Sequence, residues 1–231
     1  MKEQFSRTGL LLGEEGVARL ARAHVAIFGI GGVGGHCAEA LARSGIGKFT
    51  LVDRDTVSLS NLNRQIVALH STVGRLKTEV MRERILDINP EAEVRSAETF
   101  FLPENADSFD FSAFDYVVDA VDTVTAKVEL VLRAFRAGCP IVSCMGAGNK
   151  LDPTRFEISD IYETSADPLA RVMRRELRAR GIPGLKVVWS REEPLSSGGN
   201  RVPGSVAFVP SAAGLVLASA VVRDLAGTKN G

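Results

Sequence analysis

A glycine string lies between two runs of different periodicity, and it leaves the chain few folds to choose from. Gly29–Gly34 reads G-I-G-G-V-G. Ahead of it, His24–Phe28 (H-V-A-I-F) is a short apolar run that reads as a strand. Behind it, Val33–Ser44 is rich in alanine and reads as a helix. Glycines at 29, 31 and 34 fit G-x-G-x-x-G in the strand–turn–helix setting that gives the pattern meaning. Such a turn is tight, admits a ligand close to the backbone, and aims amide N–H groups at phosphate. Asp53 follows 19 residues after Gly34, at the end of a second strand, Lys48–Val52. A carboxylate there can accept hydrogen bonds from ribose hydroxyls. Alone, this pattern says nucleotide, with a nicotinamide dinucleotide the default. The extra glycine, Gly32, departs from the usual dehydrogenase form.

The alternation continues along the chain. Leu11–Ala23 reads as a short amphipathic helix, and residues 72–88 as a helix stopped by Asn89-Pro90. Glu93–Ala97, Tyr116–Ala120 and Pro140–Cys144 read as further strands, and Ala126–Ala137 as a helix closed by Gly138. Short, apolar strands alternating with helices predict an α/β fold. It is a Rossmann-like, doubly wound, mostly parallel sheet with helices on both faces. Ligands then bind outside the carboxyl ends of the strands.

After Gly148 the character changes. Asn149–Ser165 is irregular, Ala170–Arg180 is a charged helix, Leu185–Ser190 is a strand, and Arg191–Arg201 is a mobile loop rich in Ser, Gly and Pro. We read residues 1–231 as one domain. Residues 1–148 form the nucleotide-binding core, and 149–231 extend the same sheet with substrate-facing elements. Ser205–Val222 is near membrane-spanning length but carries Pro210 and small polar residues. It reads as a strand, Ser205–Val209, then a buried helix, Ser211–Leu225, with Ser211 as N-cap and Gly227 as stop. No stable membrane insertion is expected.

Charge adds little: 28 basic and 28 acidic side chains leave the chain neutral. Only a local patch could recruit nucleic acid. Three cysteines (Cys37, Cys139 and Cys144) make no C-x-x-C pair, and all three histidines fall in the first 70 residues. That set argues against structural zinc and for a reducing, cytoplasmic setting. The N-terminus has no apolar signal segment.

The stretch Ser58–Gln65, S-L-S-N-L-N-R-Q, fits neither a helix nor a strand period. It places Asn61, Arg64 and Gln65 just after the second strand, on the ligand side. Lys77 follows on the next helix, and Asp122 closes D-A-V-D at the end of the fourth strand. Arg and Lys bind phosphate and Asn is a neutral donor. Hydride transfer needs no such set around its cofactor's phosphates. A triphosphate under attack does, because charge grows on the phosphoryl oxygens and the leaving pyrophosphate. Asp122 suits Mg²⁺. The candidate nucleotide set is therefore Gly29, Gly31, Gly32, Gly34, Asp53 and Asp55, joined by Asn61, Arg64, Gln65, Lys77 and Asp122.

These motifs resemble the adenylyltransferase domain of ubiquitin-activating-like enzymes, a superfamily that includes the molybdopterin- and thiamine-pathway adenylyltransferases. The resemblance rests on G-I-G-G-V-G, on Leu51–Gln65, on Lys77 and on D-A-V-D-T, and it spans nearly the whole chain. Three longer stretches, Ser143–Phe156, Asp167–Ile182 and Leu185–Pro194, are similar to the bacterial tRNA threonylcarbamoyladenosine dehydratases. That resemblance implies an enzyme that uses ATP and Mg²⁺ to cyclise threonylcarbamoyladenosine in the tRNA anticodon loop, through adenylation of its carboxylate. It implies that Gly31 and Asp53 contact the nucleotide and that Asn61, Arg64 and Lys77 hold its phosphates. Asp122 then faces Mg²⁺, and Arg7 reaches a partner subunit's ATP in a homodimer. Arg64, Lys77, Asp122 and Arg7 are the implied catalytic groups. A sulfur-relay protein is a candidate partner. The cysteine pairs that hold zinc in the molybdopterin and thiamine branch are absent, and Cys144 reads as a packed core thiol.

Arg171, Arg174, Arg175 and Arg178 recur at i, i+3, i+4 and i+7, with Arg180 beside them. That spacing puts them on one helix face as a candidate phosphate footprint for tRNA. Trp189 and Phe156 are the few candidates for base stacking. The alternative function is adenylation of the C-terminus of a small ubiquitin-like sulfur-carrier protein. A nicotinamide-dependent oxidoreductase is disfavoured by Asn61, Arg64 and Asp122.

Overall fold

The computed structural model describes residues 2–196, 198 and 202–228. Of the loop read at Arg191–Arg201, Ser197 and residues 199–201 lie outside the described residues. Seven strands form one sheet: β1 (His24–Phe28), β2 (Lys48–Val52), β3 (Glu93–Ala97), β4 (Tyr116–Asp119), β5 (Ile141–Cys144), β6 (Phe156–Asp160) and β7 (Lys186–Ser190). Their order is β3-β2-β1-β4-β5-β7-β6, parallel throughout except where β6 runs antiparallel to β7. Among the described residues six helices cover it: α1 (Ser6–Arg22), α2 (Gly34–Ser44), α3 (Lys77–Ile88), α4 (Val124–Ala137), α5 (Pro168–Ala179) and α6 (Phe208–Ala226).

Strand alternation sorts the core into layers. On β1, Val25 and Ile27 join the cluster under α2 and α6, whereas Ala26 and Phe28 join the cluster under α4. On β7, Val188 belongs to the first layer, and Val187 and Trp189 to a third cluster with Met173 and Leu177 of α5. Both faces of the central strands are dry, so their sequences read as apolar runs. The chain builds outward from β1 to β3, then returns to β4 and builds the other way. The carboxyl ends of β1 and β4 therefore diverge, which opens a crevice at the switch point.

Several boundaries differ from the sequence reading. Helix α1 begins at Ser6 rather than Leu11, and it is broken at Gly13, whose φ is +72°. The helix read from residue 72 starts at Lys77. Thr72 closes a short 3₁₀ turn, its hydroxyl taking the Leu69 N–H and donating to the Val67 carbonyl. Gly74 sits at φ +88°, and Leu76 bridges Thr56. Strand β6 lies inside the segment read as irregular. The strand read at Ser205–Val209 is absent: the chain enters α6 at Phe208, with Pro210 inside its first turn, where a missing N–H costs nothing. Ser211 is thus not the N-cap, and its hydroxyl bonds back to the Ala207 carbonyl. Gly227 does stop α6, at φ +67°. Helix α6 is long and apolar enough to span a membrane, yet Val209, Ala213, Leu217 and Val221 are fully buried in the core.

Candidate functional site

The first side of the crevice is built by the glycine turn. Gly29 has φ +91°, and a Cβ there would lie 2.6 Å from the Ala120 carbonyl oxygen of the neighbouring strand. Any side chain at Gly34 would collide with the Gly29 carbonyl. These two positions let β1 pass into α2 with the turn's amides exposed. Asp53 pins the turn to β2: its carboxylate accepts the Ile30 N–H at 2.7 Å and the Asp55 N–H at 2.8 Å. A carboxylate has about four acceptor sites, so two bonds leave capacity for a ribose. From the other side Pro210 packs on Gly32, and His36 lies within hydrogen-bond distance of the Gly32 carbonyl (2.7 Å) and the Ser211 hydroxyl (3.1 Å).

These elements line a cavity of about 620 Å³. It gathers Gly29, Gly31, Gly32, Asp53 and Asp55, and beside them Asn61, Arg64, Gln65, Lys77 and Asp122. Gly34 is buried behind the turn, at the start of α2. Asn61 is buried, and its Oδ1 takes the Ser58 N–H at 3.1 Å. Arg64 is tethered at one nitrogen, Nη1, to the Ser60 carbonyl and to Asn63 Oδ1, both at 2.9 Å. The rest of its guanidinium fork has no hydrogen-bond partner among the described residues. Lys77 is buried and pairs with Asp55 at 2.8 Å. Gln65 is buried with its Oε1 lacking a partner among the described residues. Asp122 is exposed on the opposite wall, where its Oδ1 accepts only a 3.3 Å bond from Thr123.

Asp122 is aimed by a buried network beneath it. Asp119 is fully buried and pairs with Lys127 at 3.1 Å. Asp119 also accepts the Ser143 hydroxyl and the Val121 N–H, the latter at 3.2 Å. Lys127 donates to the Cys144 carbonyl at 2.7 Å. The turn from β4 to Asp122 is thereby tied to α4 and β5.

Residues 5–231 match the ThiF family. The chain is 46% identical to the tRNA threonylcarbamoyladenosine dehydratase of Bacillus subtilis, over 97% of this chain and 95% of that one. It belongs to the ThiF family and, within it, to the tRNA threonylcarbamoyladenosine dehydratases. The Escherichia coli enzyme of the same name is 41% identical, over 83% of this chain and 74% of that one. The crystal structure of that E. coli dehydratase in complex with ATP superposes with a TM-score of 0.91 at 38% identity, covering 97% of this chain and 94% of that one.

Other sequence candidates fall outside the crevice. Arg7 is exposed in the first turn of α1 and does not line this chain's own cavity. The arginine face of α5 is largely committed within the chain. Arg174 donates to Thr164, Arg178 stacks over Tyr162 at 4.9 Å, and Arg175 and Arg180 both pair with Glu176. Arg171 is exposed. Trp189 is a core residue, 2% exposed with its Nε1 donating to Ser159, so it cannot stack on a base. Phe156 is half-buried. All three cysteines are buried free thiols. Burial pushes Cys144 up to about 12 and Cys139 up to about 11, so neither is a ready thiolate.

The sequence reading missed two walls. Phe100, Phe101 and Leu102, just after β3, line the β2–β3 side of the cavity, and Arg54 stacks over Phe100 at 5.9 Å. Ala147, Gly148 and the segment Val202–Ser205 line the far end, with Pro210. The far wall is small and apolar, so it carries no chemical signature in sequence.

Proposed function

We propose that this chain is an ATP-dependent tRNA threonylcarbamoyladenosine dehydratase, which closes the modified nucleoside into a ring with net loss of water. The observation that carries this reading is one cavity that joins a glycine turn to Asn61, Arg64, Lys77 and Asp122 and extends past β4 and β5 to Ala147, Gly148 and Val202–Ser205. ATP lies with its ribose at Asp53 and its phosphates over Gly31 and Gly32. Arg64 and Lys77 stabilise the charge that grows as the substrate carboxylate attacks the α-phosphorus and pyrophosphate leaves. The substrate's own nitrogen then displaces AMP from the activated carbonyl. That closure is intramolecular, so proximity supplies much of the rate and no enzyme nucleophile is needed. The high, buried thiol of Cys144 agrees with this.

The residues present fit Mg²⁺ bound with ATP. Asp122 offers one exposed carboxylate on the wall facing the glycine turn, and among the described residues no group of three or more His, Cys, Asp or Glu side chains forms a cage. Mg²⁺ takes only one or two protein carboxylates beside substrate phosphates. When bound, it supplies neutralisation of phosphate charge. Arg7 sits on an exposed arm ahead of the Gly13 break, with Leu10 and Leu11 more than four-fifths exposed beside it. Such an arm suits a homodimer in which Arg7 serves the partner's ATP. Three unpaired thiols suit the cytoplasm.

The test is nucleoside mass spectrometry after incubating the protein with Mg-ATP and tRNA carrying threonylcarbamoyladenosine. The expected result is loss of one water, dependent on ATP. In Arg64→Ala, kcat should fall roughly 10²- to 10³-fold, as when one preorganised donor is removed. No mass change from folded protein that binds ATP would overturn the reading in favour of carrier-protein adenylation.

A further inference from the structure

Asn149 is one of two non-glycine residues with positive φ among the described residues, at +58°. The turn that holds it is rigid. Lys150 and Asp167 are both buried and pair at 3.1 Å. The Gly146 N–H donates to Asp167 at 3.0 Å, and Lys150 donates to the Gly146 carbonyl. So fixed, Asn149 grips a distant strand of chain. Its N–H donates to the Gly204 carbonyl at 2.8 Å, and its Oδ1 accepts the Gly204 N–H at 2.6 Å. Across the cavity, Asn63 donates to the Ser205 carbonyl at 3.0 Å. Pro203 sits so close over Gly148 that a Cβ there would lie 2.8 Å from Pro203 Cβ. Residues 202–205 thus form a strap along the β4–β5 half of the pocket, held at the adjacent residues Gly204 and Ser205 by Asn149 and Asn63, with Pro203 packed on Gly148.

We propose that Asn149 is a positioning residue: it pins this strap over the acceptor half and keeps water off the activated carboxylate until the substrate's nitrogen closes the ring. This rests on the dehydratase reading. Activation forms a bond from the carboxylate oxygen to the α-phosphorus and breaks the bond to the leaving pyrophosphate. Closure forms the carbon–nitrogen bond, breaks the carbon–oxygen bond to AMP, and releases the nitrogen's proton. Water attacking the same carbon restores the carboxylate and releases AMP. Each leak therefore yields AMP without a ring.

Asn149→Gly keeps the backbone conformation and removes the Oδ1 acceptor; Asn149→Asp keeps both. The readout is AMP released per cyclised nucleoside, beside ATP affinity by calorimetry. The expected ratio is about one in the wild type, at least about threefold higher in Asn149→Gly, and back near one in Asn149→Asp, with ATP affinity held within about twofold. Gly148→Ala, which pushes Pro203 outward, gives the same leak. A ratio unchanged in Asn149→Gly overturns the proposal, as does a loss of ATP affinity that accounts for the whole effect. If the wild type forms no ring, the dehydratase reading fails by itself. The strap is then judged on water access to the same pocket, read as hydrolysis of Mg-ATP without tRNA, in which water attacks the α-phosphorus and pyrophosphate leaves: faster AMP release in Asn149→Gly sustains it, and equal release overturns it.

Discussion

Lys77 shows how a single side chain serves two masters here. Its ammonium is 5% exposed, yet Asp55, its partner at 2.8 Å, is half open to solvent. Removing the lysine leaves no buried carboxylate stranded, so the fold should tolerate Lys77→Met. ATP loses one charge-assisted partner, worth about 1.5–3 kcal/mol. Calorimetry should then show affinity reduced by roughly ten- to a hundredfold, with an unchanged circular dichroism spectrum. Unchanged affinity would confine Lys77 to its pair with Asp55. Gln65 differs: its Oε1 is buried without a partner among the described residues, so a ligand that donates there relieves an existing cost.

At the scale of elements, α6 decides more than its sequence advertises. It packs Gly214 against α2 so closely that a Cβ would strike the Val33 carbonyl and lie 3.0 Å from His36 Cβ. Gly214→Ala must pry the helices apart, and such overpacking costs about 1–3 kcal/mol. Thermal unfolding should shift down by several degrees, and ATP binding should weaken with it, because Pro210 of the same helix backs Gly32. A Tm within error of wild type would show that α6 can slide.

Legibility in sequence follows the same physics. Strands β1, β2 and β4 are buried runs bounded by glycine or acid, so their identity needs no tertiary information. Strand β6 (F-E-I-S-D) is half-buried at every position on the sheet edge, and only its pairing with β7 makes it a strand. The start of α3 was obscured because T-V-G-R is compatible with a helix until Gly74 takes a positive φ. That Asn61, Arg64, Gln65, Lys77 and Asp122 gather in one cavity was readable because charged and amide groups are chemically loud. The acceptor side was not: Ala147, Gly148 and Pro203 are small, mute, and brought together from segments more than 50 residues apart. The α5 arginines illustrate the converse, since spacing gave their face but not the internal partners that occupy most of it.

For the molecule as a whole, acid sensitivity should originate at the end of the sheet remote from the cavity. His24 opens β1 with its ring within hydrogen-bond distance of the Ala113 carbonyl (3.0 Å) and the Thr50 hydroxyl (2.9 Å), edge-on to Phe114 at 5.0 Å. Burial lowers its pKa below the ordinary histidine value, with Arg95 and Lys48 adding to the effect against the Ala113 carbonyl and Asp115. The unfolded chain then binds a proton that the fold refuses, so this contribution is present above about pH 6.5 and is lost as pH falls through the lowered folded value. Urea midpoints at about pH 7.5 and 5.5 should differ less in His24→Gln than in the wild type. Equal differences would remove His24 from the account.

The switch point between β1 and β4 has a consequence for inheritance. Most of the nucleotide wall hangs from β1, β2 and β3, whereas Asp122 and the far wall hang from β4, β5 and the returning chain. The two halves share a seam but few side chains. Drift in the far wall, away from Asp122, can therefore change what is accepted while leaving the nucleotide wall untouched.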